Sequence, residues 1–345
     1  MPLLASGVLL WTLPFLSASV VRAQTSRSVC WTPEVLTGRP GEKTIRHTAY
    51  NSAVEPSGAP VNYQPIPSEW RGSIRRVDLP HAEKLIAFTF DLCENGNEIS
   101  GYDGQIVDTL RAKGAKATFF PSGKWLADHD ERGQQLMADP LFEVGAHSWT
   151  HRNFRLLPAD EVKQDVDLDL KEDRIIRERL HARSCYRAIG AENTVSARPP
   201  LFRFPFGTCN EQSLNAVNDA GLLAVQWDVV SADPSPAQSA EAIRKAVVNA
   251  ARSGSIVVMH GNGRGWHTSE ALPLLIDDLR KRGFEFATVS ELLQKGKPVI
   301  ADSCYEVKPG DNTRYDKLFP LAKPPRAKES SQAPVLRPFD RRAGQ

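Results

Sequence analysis

Short apolar runs alternate with amphipathic segments through the middle of this 345-residue chain. Seven runs predict buried strands, at 84–90, 115–120, 141–147, 201–206, 222–228, 255–260 and 284–289. Between them, the spacing of apolar residues predicts helices at 102–114, 131–139, 159–181, 211–220, 239–252 and 269–282. This alternation indicates a parallel sheet covered by helices, and it is shared by open doubly wound sheets and closed barrels.

The two ends of the chain lack this alternation. Residues 24–83 are rich in proline, serine and glycine, and they predict an extended or loosely packed lead-in. Residues 294–345 are proline-rich and basic, which predicts a disordered tail. Such a tail is a solvated extension, although its charge would also suit contact with an acidic surface. The ordered domain is therefore predicted at 84–293.

Residues 1–23 have the pattern of a secretory signal peptide. The first 21 residues carry no charged side chain, and the small residues Val21 and Ala23 predict cleavage before Gln24. No Lys or Arg precedes the apolar run, so an uncleaved membrane anchor is the alternative. We expect a secreted or periplasmic protein with no membrane span once the signal is removed.

Composition excludes several classes of protein. The chain is 41% hydrophobic and 24% charged, which is ordinary globular usage and excludes wholesale disorder. A net charge of +2 gives no electrostatic reason to expect a nucleic-acid partner. No glycine-rich phosphate loop follows the first strand, so a dinucleotide site has no support. The five cysteines leave at least one thiol unpaired, and the lack of a CxxC pair argues against a cysteine-built zinc site.

Polar side chains stand where the predicted strands end, and they include acid, imidazole and guanidinium groups. In parallel α/β barrels, the carboxyl ends of the strands assemble the active site. His147 and His151 are four residues apart, so on a helical turn they could share a metal, with a third protein ligand from elsewhere. The other residues of this kind are Asp91, Arg203, Trp227, Asp228 and His260.

The order and spacing of these motifs resemble those of polysaccharide deacetylases, carbohydrate esterase family four, which includes chitin, chitooligosaccharide and peptidoglycan N-deacetylases. The matching segments are Thr89-Phe90-Asp91, His147-x-x-x-His151, Arg203-Phe204-Pro205-Phe206-Gly207, Trp227-Asp228 and Met259-His260, within roughly residues 84–293. The resemblance implies a distorted (β/α) barrel with about seven parallel strands. It also implies a metal-dependent hydrolase that removes N-acetyl, or alternatively O-acetyl, groups from a polysaccharide or oligosaccharide.

The resemblance assigns a role to each catalytic candidate. Asp91 corresponds to the general base that takes a proton from water, and Arg203 to the cation that orients Asp91 and favours its ionised form. His260 corresponds to the general acid that protonates the leaving amine. Asp233 or Asp228 would keep His260 protonated. Spacing within the family favours Asp233, although the residue after it differs from the family's tryptophan.

Apolar residues beside these motifs are expected to bind the substrate. Phe206, Trp227 and Met259 would surround the methyl group of the acetyl, and a backbone N–H near Phe206 would stabilise the oxyanion. Trp266 lies in the glycine-rich loop after His260, and we expect it to contact sugar rings.

One departure from the family concerns the metal. The first family motif reads Thr-Phe-Asp-Asp-Gly, and its second aspartate is a ligand, whereas this chain has Leu92, Cys93 and Glu94 after the first aspartate. The third ligand beside the two histidines is expected to be Glu94. Asp91 acting as both ligand and base, Cys93 as ligand, and a weakened or lost metal remain alternatives. We expect zinc, with cobalt, nickel or manganese as alternatives.

The cysteines outside the motifs suggest disulfides. Cys93 and Cys209 each follow a motif strand, so we expect their loops to meet above the barrel and to be braced by a disulfide. Cys30 and Cys304 flank the domain and form the second predicted pair.

Two other functions compete with deacetylation. The departure at Leu92 is compatible with a non-catalytic carbohydrate-binding barrel that has lost its metal, although a pure binder has no need of base, orienting cation and acid together. A cysteine hydrolase built on Cys93 is the other alternative, and it requires a paired imidazole.

Overall fold

The protein is seen here as a computed structural model that describes residues 30–49, 55–61, 64–188 and 201–321. The strands in these ranges are β1 (Arg46–His47), β2 (Ser73–Asp78), β3 (Leu85–Leu92), β4 (Glu98–Ile99), β5 (Ala117–Pro121), β6 (Phe142–Val144), β7 (Leu201–Phe202), β8 (Leu223–Val225), β9 (Val229–Val230), β10 (Ile256–His260), β11 (Glu285–Phe286) and β12 (Lys297–Ala301). The α-helices are α1 (Pro33–Leu36), α2 (Gly104–Lys113), α3 (Gly123–Asp128), α4 (Asp130–Met137), α5 (Ala159–Ala182), α6 (Ser184–Ala188), α7 (Glu211–Asp219), α8 (Ala240–Ala250), α9 (Thr268–Lys281), α10 (Val289–Lys295) and α11 (Tyr315–Leu318). The predicted signal peptide, 1–23, lies outside the described ranges, within which no helix is long and apolar enough to cross a bilayer.

The seven predicted strands are all present, and each pairs in parallel with a neighbour. One sheet has the order β6-β5-β3-β10-β9, with β11 also pairing with β3, and a second has the order β12-β2-β8-β7. A parallel bridge between Ala146 and Phe202 joins the end of β6 to β7. Ala87 and Ile256 of the first sheet and Val225 of the second share one buried cluster. The two sheets therefore enclose one interior as a distorted (β/α) barrel, which confirms the predicted fold.

The two-residue alternation of β3 separates the barrel interior from the helical layer. Ala87 belongs to the interior cluster, and Asp91 has the same parity along the strand. Phe88, Phe90 and Leu92 have the opposite parity and pack in the cluster beneath the helices. The strand thus places Asp91 at the interior edge of the barrel and Leu92 on the outside.

The predicted helices are present with boundaries within two residues of the prediction. Helix α2 ends because Gly114 adopts a left-handed conformation at φ 56°. Helix α7 begins with a capping box in which Asn210 and Ser213 exchange side-chain and backbone hydrogen bonds. Local sequence signals of this kind fix the helix ends independently of the barrel.

Ordered structure continues beyond both predicted domain boundaries. Strand β2 lies inside the predicted lead-in, yet it pairs with β8 and β12, and its Ile74 and Val77 are fully buried. The predicted disordered tail is described to residue 321 and contains β12 and α11. Strand β12 is half-exposed and carries Lys297 and Pro298, so its order comes from pairing with β2 and not from an apolar pattern of its own.

Two disulfides are present, and both predicted pairings are wrong. Cys30 pairs with Cys185, and Cys209 pairs with Cys304. Cys93 is a buried free thiol, so the prediction of an unpaired cysteine is confirmed. Cys209 finds its partner in the tail because that segment is ordered against the barrel, which the sequence pattern did not indicate.

Candidate active site

A cavity of about 470 Å³ opens at the carboxyl ends of the barrel strands. The end of β3, the loops after β6, β7 and β8, and the end of β10 supply its functional side chains. These are Asp91, Cys93, His151, Phe206, Trp227 and His260. The cavity therefore brings together motifs that are far apart in the sequence. For example, the side chain of Asn262, two residues after His260, donates a hydrogen bond to the backbone carbonyl of Cys93, 169 residues away.

Arg203 lies against Asp91, as the resemblance requires. Its Nη1 donates a hydrogen bond to Oδ1 of Asp91 at 2.8 Å, and its Nε and Nη2 donate to the carbonyls of Val225 and Gln226. The guanidinium is fully buried and lies over the ring of Phe120 at 4.2 Å. Burial lowers the pKa of Arg203, and the charge of Asp91 partly offsets this shift. The guanidinium nevertheless stays charged, because its pKa starts far above neutral pH. The carboxylate is thus held in one orientation by a fixed cation.

His260 is held by Asp233. Nδ1 of His260 donates to Oδ1 of Asp233 at 2.9 Å, and its backbone N–H donates to Oδ2 at 2.7 Å. Burial by itself lowers the pKa of His260, but the charge of Asp233 outweighs it and raises that pKa well above the ordinary value. Asp228, the alternative partner, instead accepts hydrogen bonds from Arg252 and from the backbone of Ile256.

The glycine-rich loop after β10 closes around the Asp233 carboxylate. A Cβ placed on Gly265 would lie 2.7 Å from Oδ2 of Asp233 and 2.5 Å from the carbonyl oxygen of His260, so only glycine fits there. Trp266 follows, and its backbone N–H donates to the carbonyl of Asp233. The indole of Trp266 is 54% exposed and lies outside the cavity lining, so the structure does not bring it to the predicted site.

Cys93, His147 and His151 form a buried cluster whose candidate ligand atoms all lie within 4.8 Å of one another. Nδ1 of His147 donates to the carbonyl of Arg203 at 2.8 Å, which leaves Nε2 facing Sγ of Cys93 at 3.5 Å. Nδ1 of His151 is buried without a hydrogen-bond partner. Two imidazoles and one thiol with donor atoms facing one another fit a four-coordinate metal that keeps one open position.

Electrostatics within this cluster favour metal-binding protonation states for two of its members. Burial raises the pKa of the Cys93 thiol, but the imidazoles of His151 and His147 outweigh it, and that pKa lies well below the ordinary value. Burial lowers the pKa of His151, which favours the neutral ring. Burial also lowers the pKa of His147, but the charges of Asp91 and Cys93 reverse this and raise it.

Glu94 is not part of the cluster, so its prediction as third ligand is wrong. Its Oε1 is 2.7 Å from Nζ of Lys124, and its Oε2 accepts hydrogen bonds from the backbone and side chain of Ser100. Burial is the main cause that raises the pKa of Glu94. The alternation that continues from β3 gives Asp91 and Cys93 the same orientation and turns the intervening and following side chains away.

The segment from His147 to His151 is a turn with left-handed residues and not the helical turn that the spacing suggested. Ser148 has φ 71° and His151 has φ 53°. Two acids of α5 hold this turn. Asp169 accepts a hydrogen bond from the backbone N–H of His147 at 2.9 Å, and Asp165 accepts one from the backbone N–H of Trp149 at 2.7 Å. Neither acid was among the site residues predicted from the sequence, although their four-residue spacing on one helix was a usable signal.

Two of the three predicted acetyl-binding residues line the cavity. Phe206, at φ 57°, and Trp227 form part of its wall. Met259 is fully buried in the outer cluster beneath the helices, so its prediction is wrong. Alternation along β10 is the reason, since it turns Val258 and His260 to the cavity and Met259 away from it.

The ordered tail supplies a wall that the sequence analysis missed. Glu306, Arg314, Tyr315 and Phe319 all line the cavity. The ring of Phe319 stacks on Phe206 with centroids 4.2 Å apart. The aromatic residues of this segment were the available signal, but the surrounding prolines and charges predicted disorder.

Comparison with known proteins agrees with this geometry. The polysaccharide deacetylase family profile matches residues 78–225. A peptidoglycan-N-acetylglucosamine deacetylase of Bacillus cereus is 31% identical over 223 residues, 63% of this chain and 92% of that protein. A peptidoglycan-N-acetylmuramic acid deacetylase of Bacillus subtilis is 26% identical over 213 residues, 61% of this chain and 72% of that protein.

A family-four pseudoenzyme from Bacillus anthracis has the same fold. Its crystal structure superposes with a TM-score of 0.52 at 22% identity, covering 66% of this chain and 70% of that one. The matched profile, the Bacillus cereus relative and the shared barrel point to one conclusion, which is that this chain belongs to the polysaccharide deacetylase family of hydrolases.

Proposed function

We propose that this protein is a metal-dependent deacetylase that hydrolyses N-acetyl groups on a cell-envelope glycan of the peptidoglycan type. One observation carries the proposal: the Asp91–Arg203 and His260–Asp233 pairs face a single cavity beside the Cys93 cluster. The named activity of the Bacillus cereus relative supports this substrate class, with O-acetyl groups as the alternative. Two disulfides suit an oxidising compartment, which supports a secreted or periplasmic location.

Cys93, His147 and His151 would hold the metal. Thiolate and imidazole together suit zinc better than manganese, with cobalt and nickel between them. When bound, a divalent metal polarises a carbonyl group and lowers the pKa of a water molecule.

Asp91 would act as the general base. Its Oδ1 is occupied by Arg203, so Oδ2, which lies 3.9 Å from Nε2 of His147, is the oxygen that accepts the proton of the attacking water. Arg203 holds the carboxylate in place and does not itself transfer a proton, since a guanidinium stays protonated.

His260 would act as the general acid. Because Nδ1 is bound to Asp233, the protonated ring presents Nε2–H to the cavity. That proton passes to the nitrogen as the C–N bond breaks, which yields acetate and a free amine on the sugar. Phe206 and Trp227 would exclude water around the methyl group.

Acetate release from N-acetylglucosamine oligomers tests the proposal. Activity should stop when a chelator removes the metal and return when zinc is added. Asp91→Asn should lower kcat by on the order of a hundredfold or more, since it removes a general base. Activity that persists in Asp91→Asn would contradict the assigned mechanism.

A cysteine hydrolase is the second candidate, and the 3.5 Å approach of Sγ of Cys93 to Nε2 of His147 favours it. Iodoacetamide should then abolish acetate release, while a chelator should leave it unchanged. A non-catalytic binding barrel predicts no acetate and no bound metal in the purified protein. The presence of both proton-transfer pairs supports the deacetylase over this last alternative.

A further inference from the structure

A second cavity, of about 290 Å³, adjoins the first. Both cavities are lined by His151, Phe206 and Phe319. The stacked rings of Phe206 and Phe319 therefore form an aromatic ridge between them. The ridge therefore borders both the cavity with the acid and base and the second cavity.

The tail segment that carries Phe319 is fixed to the site at several points. The Cys209–Cys304 disulfide joins it to the loop after β7. Arg155 and Asn153, just after the metal-cluster turn, both donate to Asp316 of the tail, at 3.0 and 2.9 Å. The segment that carries Phe319 is therefore held against the site by a disulfide and by an ion pair and a hydrogen bond to Asp316.

The chemistry of the second cavity suits a sugar ring. Phe319 is 42% exposed, and an aromatic face of this kind packs against the C–H groups of a pyranose. Asn95 and Asn97 also line the second cavity and offer amide groups for hydroxyls. A glycan bound with one unit at the acid and base must continue out of the first cavity, and the second cavity is the adjoining space.

We propose that the ordered tail completes the substrate groove, and that Phe319 binds the saccharide unit next to the acetylated one. This inference rests on the proposed function, because it takes the ligand to be a glycan chain. Under this inference, the preference for oligomers over monomers comes from residues of the tail, which lie outside the family motifs.

Equilibrium binding to the zinc-loaded full chain carrying Asp91→Asn, which suppresses hydrolysis under the proposed function, tests this independently of turnover. Calorimetry would compare the N-acetylglucosamine monomer with its tetramer, in this background alone and with Phe319→Ala or Val307→Ala added. Val307 is the matched control, since it lies in the same segment, is 73% exposed and lines neither cavity. Phe319→Ala should weaken tetramer binding roughly tenfold and monomer binding less than twofold. Val307→Ala should change neither.

Each outcome decides the inference. Equal weakening of monomer and tetramer, or no weakening when Phe319→Ala is added, would overturn it, as would an Asp91→Asn chain that binds the tetramer no better than the monomer. Tetramer binding that depends on Phe319, without any release of acetate by the zinc-loaded chain with Asp91 intact, would keep the inference and overturn the proposed hydrolytic function.

Discussion

Single carboxylates set the chemistry of this site. Both carboxylate oxygens of Asp233 accept hydrogen bonds from His260. In Asp91, Oδ1 accepts a hydrogen bond from Arg203, and Oδ2 is the oxygen that faces His147. Under the proposed function, this difference suits a base role for Asp91, since proton acceptance needs an unoccupied oxygen, and an acid role for His260.

Asp233→Asn should narrow the pH range of activity. The Asp233 charge raises the pKa of His260, and a general acid acts only when protonated, so activity is lost as pH rises through that pKa. Without the charge, the alkaline limb of kcat/KM should move to lower pH. Asp228→Asn is the control, because Asp228 bonds Arg252 and not His260. An unshifted alkaline limb in Asp233→Asn would refute the pairing.

Cys93→Ser should impair metal binding. Loss of a thiolate ligand should weaken zinc affinity by roughly a hundredfold or more, and the cobalt-loaded protein should lose its sulfur-to-metal charge-transfer absorption. Zinc content and near-ultraviolet spectra measure this without an activity assay. Glu94→Gln, at the rival ligand position, should retain both, and a cobalt spectrum that depends on Glu94 instead would contradict the cluster assignment.

Helix α5 shows how an element serves the site beneath it. Its Asp165, Asp169, Glu172 and Asp173 are all buried, and burial is the largest cause that raises the pKa of each. Asp165 and Asp169 hold the turn that carries His147 and His151, and their burial costs stability.

Glu172→Gln should stabilise the protein at pH 8 and not at pH 5. Burial raises the pKa of Glu172 to about 7, above its value in the unfolded chain. The protonated carboxyl group is therefore compatible with the folded state at low pH, and its contribution to stability is lost as the pH rises through 7. The variant should raise Tm at pH 8 by on the order of 3 °C. Glu178→Gln, exposed on the same helix, is the control, and equal shifts at both pH values would contradict the burial argument.

At the scale of the whole molecule, two disulfides join distant segments to the barrel. Cys30–Cys185 spans 155 residues, and Cys209–Cys304 spans 95. Long loops of this kind give large entropic restraints on the unfolded chain. Only the second disulfide fixes a segment that lines the cavity.

Removing the two disulfides separately should therefore give different results. The Cys209→Ser/Cys304→Ser variant and the Cys30→Ser/Cys185→Ser variant should each lose about 2–4 kcal/mol of stability in thermal unfolding. Only the first should raise KM for an N-acetylglucosamine tetramer. A matching rise in KM for the second would show that general loosening, and not the tail, controls substrate binding.

The sequence alone determined the strand and helix order, and its motif order, through the family resemblance, indicated the barrel class and the Asp91–Arg203 and His260–Asp233 pairs. Hydrophobic periodicity and helix caps depend only on neighbouring residues, so they can be identified without knowing which segments are in contact. The order of the motifs can likewise be taken directly from the sequence. The partners of buried groups are different. Lys124 donates a hydrogen bond to Glu94, Cys304 is bonded to Cys209, and β12 pairs with β2, all across more than 25 residues. Only the tertiary structure decided these, because burial and pairing depend on which segments meet in space.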